Sequence, residues 1–283
     1  MTKFKISDAH QFEVGAGFEL SETSTNPADY WGGDEKDLDK EFHRFDKEIS
    51  KLQERLFANG ISNRESAPSL LIVLQGMDTS GKDGMVKAIL NLMMPQGSES
   101  VAFERPTEEE AAHDFLWRVA NKAPKPGHVT VFDRSHYEDV LIQRVDNMAD
   151  PQEIERRYGA IVEFEAHLAQ RGVRIIKVML NISKDFQKHN LIERLNNPKK
   201  YWKYDPSDLH ARSQWDKYME AYQIALERTS TPIAPWYCIP GDNKKFARMV
   251  VKHLVVEVLR DITGPYPSVN FDVAAEIEKV EHS

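Results

Sequence analysis

Ser69-Leu70-Leu71-Ile72-Val73-Leu74-Gln75 runs straight into Gly76-Met77-Asp78-Thr79-Ser80-Gly81-Lys82-Asp83-Gly84, and Met85, Ile89 and Leu92 follow at helical spacing. This is G-x-x-x-x-G-K between an apolar strand and a helix, the context its chemistry needs. The glycines let the backbone curl so that successive N–H groups point inward as an anion nest. The helix N-terminus adds its dipole and Lys82 a full positive charge. The phosphate-binding set read from this loop is Gly76, Thr79, Ser80, Gly81, Lys82, Asp83 and Gly84.

Two carboxylates stand out in the loop. Asp83 occupies the place where Ser or Thr normally offers a hydroxyl to Mg²⁺, and Asp78 lies inside the loop itself. A carboxylate beside bound phosphate repels it unless a divalent cation lies between them, and Mg²⁺ prefers hard oxygens. Asp78 is therefore the expected metal ligand; a turn aspartate bonding its own backbone is the plainer alternative. Asp133 ends the apolar run Val129-Thr130-Val131-Phe132 and is followed by Arg134. A strand-ending aspartate suits a second contact to Mg²⁺ at the sheet's C-terminal edge, and Arg134 suits charge on a transferring phosphoryl group.

Working outward, short apolar runs at 69–75, 100–104, 128–132, 173–180 and 235–239 alternate with helical stretches. Asp37–Ala58 reads as one amphipathic helix carrying Phe42, Phe45, Ile49, Leu52 and Leu56 on one face. Thr107-x-x-Glu110 is a capping box ahead of Phe115, Leu116 and Val119. Asp150-Pro151 and Asp205-Pro206 each offer a cap and an N1 proline, the second for a helix through Trp215, Tyr218, Tyr222 and Leu226. Strands alternating with helices predict an α/β chain, with one five-stranded parallel sheet between two helical layers. Residues 1–36 read as an irregular arm, 37–265 as a single domain preceded by a helical extension, and 266–283 as a tail.

The chain has 283 residues and a net charge of −8, unevenly spread. Residues 1–50 hold 12 acids and six bases, whereas 184–203 hold six bases and two acids. A polyanion feels that local +4 patch over a Debye length of about 8 Å, so the acidic total does not exclude a phosphate-rich ligand. It does disfavour broad nucleic-acid binding. Arg194, Lys199, Lys200 and Lys203, interleaved with Tyr201, Trp202 and Tyr204, resemble a lid of about 184–208 closing over phosphates; a solvated charged face is the alternative. No apolar run approaches the length of about 20 residues needed to cross a bilayer. Nothing resembles an export signal, and Cys238 is the only cysteine, so a cytoplasmic setting is expected.

Taken in order, several motifs resemble the type-2 polyphosphate kinases over residues 35–265. They are Gly76–Gly84, Pro106-Thr107-Glu108-Glu109-Glu110, and Phe132-Asp133-Arg134-Ser135-His136-Tyr137-Glu138-Asp139-Val140-Leu141. Glu193-Arg194-Leu195, Tyr201-Trp202-Lys203, Thr229-Ser230-Thr231-Pro232 and Ala234-Pro235-Trp236-Tyr237 complete the set. The family's loop reads G-x-D-x-x-G-K, which accounts for Asp78. The resemblance implies a P-loop kinase fold similar to thymidylate kinase. It also implies reversible Mg²⁺-dependent transfer between polyphosphate and AMP, ADP or ATP, and a homo-oligomer, dimer or tetramer. Polyphosphate would face the P-loop and the nucleotide would lie nearer the lid. Family roles fall on Asp78, Lys82, Asp133, Arg134, Arg118 and Arg194, and Lys87 matches a basic position that would follow the chain. Glu138 and Asp139 resemble the third class of the family, whose members use both AMP and ADP. An ATP-dependent nucleoside monophosphate kinase is the competing reading, and a non-catalytic P-loop module a third.

Lys82→Ala removes the one full charge within the nest and should lower turnover about 10²–10³-fold with the fold retained. Initial rates beside a circular-dichroism spectrum check this; near wild-type turnover in a folded variant would remove Lys82 from the mechanism.

Overall fold

The computed structural model describes residues 4–283. Five strands form one parallel sheet: β1 (Ser69–Gln75), β2 (Ser98–Ala102), β3 (Val129–Asp133), β4 (Val173–Asn181) and β5 (Trp236–Pro240), in the order β2-β3-β1-β4-β5. All five expected strands are present within one or two residues of their expected bounds. β1 is buried along its whole length, so it reads as a continuous apolar run rather than an alternating one.

The pleat sorts β1 between two layers. Leu70, Ile72 and Leu74 face one core with the P-loop helix (Lys82–Leu90) and the long helix Lys244–Ile262. Leu71 and Val73 face the other, with helices Pro151–Gln170 and Trp215–Thr229. This is the three-layer α/β/α architecture that the sequence predicts.

Three helical expectations need correction. Asp37–Ala58 is two helices, Glu35–His43 and Asp46–Ser62. Phe45 leaves helical geometry (φ −104°, ψ 5°) to bury its ring against His253, and Arg44 donates to the Phe4 carbonyl oxygen. The Thr107–Glu110 capping box forms, but its helix ends at Ala111. Asp114 then accepts from Leu116 N–H ahead of a second short helix, Trp117–Ala120. The helix after Pro206 breaks at Gln214, which donates to Asp146, giving Ser207–Ser213 and Trp215–Thr229.

The N-terminal arm is not irregular throughout. From residue 4 onward it makes 3₁₀ turns at Ile6–Phe12, Leu20–Glu22 and Pro27–Asp29. Phe4, Ala9 and Phe12 join one core, while Val14 and Leu20 join the other. Read with its glycines and polar residues, the arm gave no periodic signal, because its apolar residues pack singly. Met1–Lys3 lie outside the described residues. The tail carries the short helix Val273–Glu281.

A polar cluster inside the second core fixes the chain beyond β3. Lys177 on β4 is fully buried and donates to Glu165 (2.6 Å), the Thr229 carbonyl oxygen (2.7 Å) and Tyr137 Oη (3.0 Å). Tyr137 donates to Glu165 at 2.8 Å, and His136 Nε2 lies 3.3 Å from the same carboxylate. Burial and Lys177 act oppositely on Glu165, and the lysine wins, holding its carboxyl below the usual range. Glu165→Gln leaves a buried cation without its counter-charge and should cost about 3–5 kcal/mol. Urea unfolding checks this, and the double change Glu165→Leu with Lys177→Met should recover most of the loss. A single-variant cost below about 1 kcal/mol contradicts the assigned role.

Candidate active site

β1 and β3 pair in parallel with Leu74 opposite Asp133, and Arg134 N–H donates to the Leu74 carbonyl oxygen at 3.2 Å. The loop after β1 and the residues after β3 therefore emerge side by side at the sheet's C-terminal edge. They open into a cleft of about 620 Å³. This is where ligands sit in open α/β sheets.

The P-loop's shape is encoded locally. Gly76 has φ +146°, and a Cβ there would fall 2.8 Å from the Leu180 carbonyl oxygen. Gly81 has φ +106° and opens the helix, and Thr79 holds φ +66° without being glycine. Thr79 Oγ1 and Ser80 Oγ are buried with no protein partner, which suits a site for phosphate oxygens. Lys82 is buried and donates to the carbonyl oxygens of Gly76 (2.7 Å) and Met77 (3.4 Å). Its charge sits inside the loop, as the motif requires.

Opposite the loop, Arg134 adopts φ +63° and its Nη2 lies 3.3 Å from Asp78 Oδ1. Glu138, Asp78 and Asp133 together outweigh burial and raise its pKa further. Burial raises the Asp133 carboxyl above its ordinary value, with Lys82 pulling it down. Asp83 reaches across to the lid and pairs with Lys203 at 2.6 Å. Burial opposes its ionisation, but Lys203 and Lys82 overcome this and lower its pKa.

The segment expected as a lid comprises helix Lys184–Asn196 and a 3₁₀ segment, Pro198–Lys203. Arg194 donates to the Lys203 carbonyl oxygen and to Asp208, at 2.9 and 3.3 Å. Lys200 pairs with Glu193, and Arg194, Lys200, Trp202 and Lys203 all line the cleft. Lys203 Nζ also sits 4.9 Å from the Trp202 ring centroid.

Not every expected residue converges there. Lys199 is exposed outside the cleft lining, its carbonyl oxygen receiving the Trp202 indole N–H. Lys87 is exposed one turn along the P-loop helix, also outside the lining. Arg118 is buried behind the cleft wall, donating to the Glu104 carbonyl oxygen at 2.8 Å and lying 3.9 Å from Asp139. It acts on the wall through Glu104, which does line the cleft. Glu138 is half-buried and bonded at 3.0 Å by the Gln75 amide, oriented so that its oxygen accepts from Ser135. Asp139 faces away from Glu138's surroundings, toward Gln143 and Arg157, because the 3₁₀ turn His136–Asp139 rotates successive side chains by about 120°. Only one of the two carboxylates after Arg134 is thus beside the phosphate loop.

Sequence reasoning missed Lys244 and Arg248, which line the cleft from the start of helix Lys244–Ile262. They lie far from the P-loop in sequence, and only the return of β5 beside β4 brings them in. It also missed the Lys177–Glu165 pair, whose charges lie in apolar patterns. Asp78 and Asp133 both line the cleft and offer hard oxygens, although no cluster of three or more metal-ligating side chains occurs among the described residues. That donor set fits Mg²⁺, which is commonly held by one or two carboxylates with substrate phosphates and water.

A family profile described as Polyphosphate kinase 2 (PPK2) matches residues 34–264. The AMP/ADP-polyphosphate phosphotransferase of Meiothermus ruber is 40% identical over 267 residues, covering 94% of this chain and 96% of the relative. The ADP-polyphosphate phosphotransferase of Rhodopseudomonas palustris is 37% identical, over 77% and 78% of the two chains. The crystal structure of Polyphosphate Kinase 2 from Arthrobacter aurescens TC1 superposes with a TM-score of 0.94 at 45% identity, covering 100% of this chain and 99% of that one.

Burial lifts the Asp139 carboxyl to about 6, against the pull of Arg157 and Arg118. The folded state therefore holds this proton more tightly than the unfolded chain, whose pKa is about 3.9. Its stabilising contribution is full below about pH 4 and is lost as pH rises through 6. Relative to Asp139→Asn, the wild type should lose on the order of 2–3 kcal/mol between pH 4 and 7. Urea unfolding across that range checks the sign, and a pH-independent difference contradicts it.

Proposed function

The chain belongs to the polyphosphate kinase 2 family, and from that premise we propose that it transfers phosphoryl groups reversibly between inorganic polyphosphate and AMP or ADP. The observation that carries this reading is the convergence on one cleft of the P-loop, Asp133-Arg134 and a basic lid. In this reading the loop N–H groups, Lys82 and the orphan hydroxyl of Thr79 grip phosphates of the donor, while Ser80, buried without a hydrogen-bond partner, lies outside the cleft lining. Arg134 stands beside them, where it stabilises charge on the phosphoryl group in transit.

Asp78 and Asp133 would hold Mg²⁺, whose charge neutralises phosphate oxygens when bound. Asp78 must then exchange its contact with Arg134, which frees the guanidinium for the phosphoryl oxygens. The acceptor phosphate has a second pKa near 6 and is largely ionised at neutral pH, so a strong general base is not required. Arg194, Lys200 and Lys203 are each paired with a carboxylate, and they capture phosphate by exchanging partners. This supports substrate capture coupled to lid movement. Cys238 is free, buried and the single cysteine of the sequence, which fits a reducing cytoplasm, and a dimer or tetramer belongs to the same reading through the family resemblance.

Glu138 bears on acceptor range. It adds negative charge close to Arg134 and Asp78, and burial raises its own pKa despite Arg134 and Lys82. That supports use of both acceptors, by altering how many acceptor phosphates are neutralised there. With AMP, Mg²⁺ and polyphosphate but no added ATP, chromatography should show ADP rising first and ATP following. ADP accumulating without ATP, or inert AMP beside converted ADP, overturns the dual-acceptor reading. No product from ADP and polyphosphate favours the ATP-dependent nucleoside monophosphate kinase instead.

A further inference from the structure

We infer that Gln75, the last residue of β1, is a positioning residue for acceptor choice, whose side-chain amide fixes the Glu138 carboxylate among the charges of the phosphate site. This rests on the polyphosphate reading above and on the part given there to Glu138. Neither Gln75 nor Glu138 belongs to the cleft lining, so both act on the site through charge and placement rather than by contact.

Leu70 to Leu74 are all apolar, and Gln75 is buried with them, so its amide must find partners inside the protein. The pleat puts it on the side of Leu71 and Val73, one step beyond the last β1–β3 pair, Leu74 with Asp133. There its oxygen accepts from the Ser135 N–H at 3.2 Å and from Ser135 Oγ at 3.1 Å, and its nitrogen donates to Glu138 Oε1 at 3.0 Å. Ser135 is itself fully buried, and its Oγ accepts from the Tyr137 N–H at 3.2 Å. One side chain on β1 thus holds both ends of the turn that follows Arg134, whose own backbone sits at φ +63°. An apolar side chain at position 75 would leave the Ser135 N–H and the Glu138 carboxylate without these bonds.

Glu138 depends on that amide. Arg134 makes its ion pair with Asp78, at 3.3 Å, rather than with Glu138. Among the described residues Gln75 is the one side chain that donates a hydrogen bond to Glu138. Burial raises the Glu138 pKa, and the Gln75 donor acts the other way, alongside the charges of Arg134 and Lys82. Without the donor the carboxylate is free to take up a proton or to turn away, and its charge no longer falls on Arg134 and Asp78. ADP carries one phosphate more than AMP, so a carboxylate held ionised on the acceptor side repels ADP the more strongly. Gln75 therefore keeps AMP competitive as an acceptor by keeping Glu138 charged and in place.

The test compares kcat/KM for AMP with that for ADP, both with long-chain polyphosphate, in wild type, Gln75→Met, Glu138→Gln and the two changes combined. The AMP-to-ADP ratio should fall about tenfold in Gln75→Met, by loss of a charge-assisted hydrogen bond. Glu138→Gln should lower it to a similar extent, and the combined variant no further, since both changes remove one and the same effect. A merely structural glutamine would lower turnover with the two acceptors alike. Gln75→Glu is a second probe, because it sets two carboxylates about 3 Å apart that cannot both stay ionised in place. Adding Glu138→Gln then exchanges acid and amide, restores the bond, and should raise ADP turnover about tenfold over Gln75→Glu alone. A ratio within about twofold of wild type in folded Gln75→Met overturns the inference, as do additive losses in the combined variant or no recovery in the exchanged pair. A Glu138→Gln variant that keeps the wild-type ratio instead removes the reading of Glu138, and the inference with it.

Discussion

The parallel pairing of β1 with β3 is the constraint on which the rest of the site depends. Register places Leu74 opposite Asp133, and the Arg134 amide closes onto the Leu74 carbonyl oxygen. A phosphate loop leaving one strand and an Asp-Arg pair leaving the other then share a single cleft. A slip of one residue would turn every β3 side chain to the opposite face. Burial of Val129, Val131 and Phe132 against the two helical layers prevents that slip.

Beyond Arg134 the chain is held by charge buried in the core. Lys177, Glu165, Tyr137 and His136 form a bonded cluster beneath the segment that presents Glu138. Buried charge of this kind is a weak source of net stability but a strong penalty on any arrangement that breaks it. It accordingly fixes where the segment goes. The segment expected as a lid is built differently: Lys200–Glu193 and Lys203–Asp83 are exposed or half-exposed pairs that cost little to exchange, whereas Arg194–Asp208 is more buried. Rigid floor and exchangeable cover are what capture of a polyanion requires.

Much of this was legible in the sequence because it depends on local pattern. The apolar run at 69–75, the glycines at 76 and 81 and the strand-ending Asp133 each carry their own signal. Helix breaks at Phe45 and Gln214 did not, since both answer to distant partners: His253 for the aromatic ring and Asp146 for the amide. Lys244 and Arg248 carry no local signal in the sequence, since only the return of the fifth strand beside β4 brings their helix to the loop. The N-terminal arm gave no periodicity, yet Phe4 and Phe12 are part of the core. Arg118 and Lys199 show the converse: a basic residue expected at the site, by family resemblance or in a basic run, need not face the cleft.

The central claim is that the P-loop holds polyphosphate rather than the nucleotide. Isothermal titration of polyphosphate into the protein with Mg²⁺ and no nucleotide tests it directly, in wild type and in Lys82→Ala. The account predicts binding by the wild type, weakened on the order of tenfold or more in the variant as a charge-assisted contact is lost. Its ADP affinity should be nearly unchanged. Unaltered polyphosphate affinity in Lys82→Ala, with ADP binding lost instead, would place the nucleotide on the loop and contradict the account.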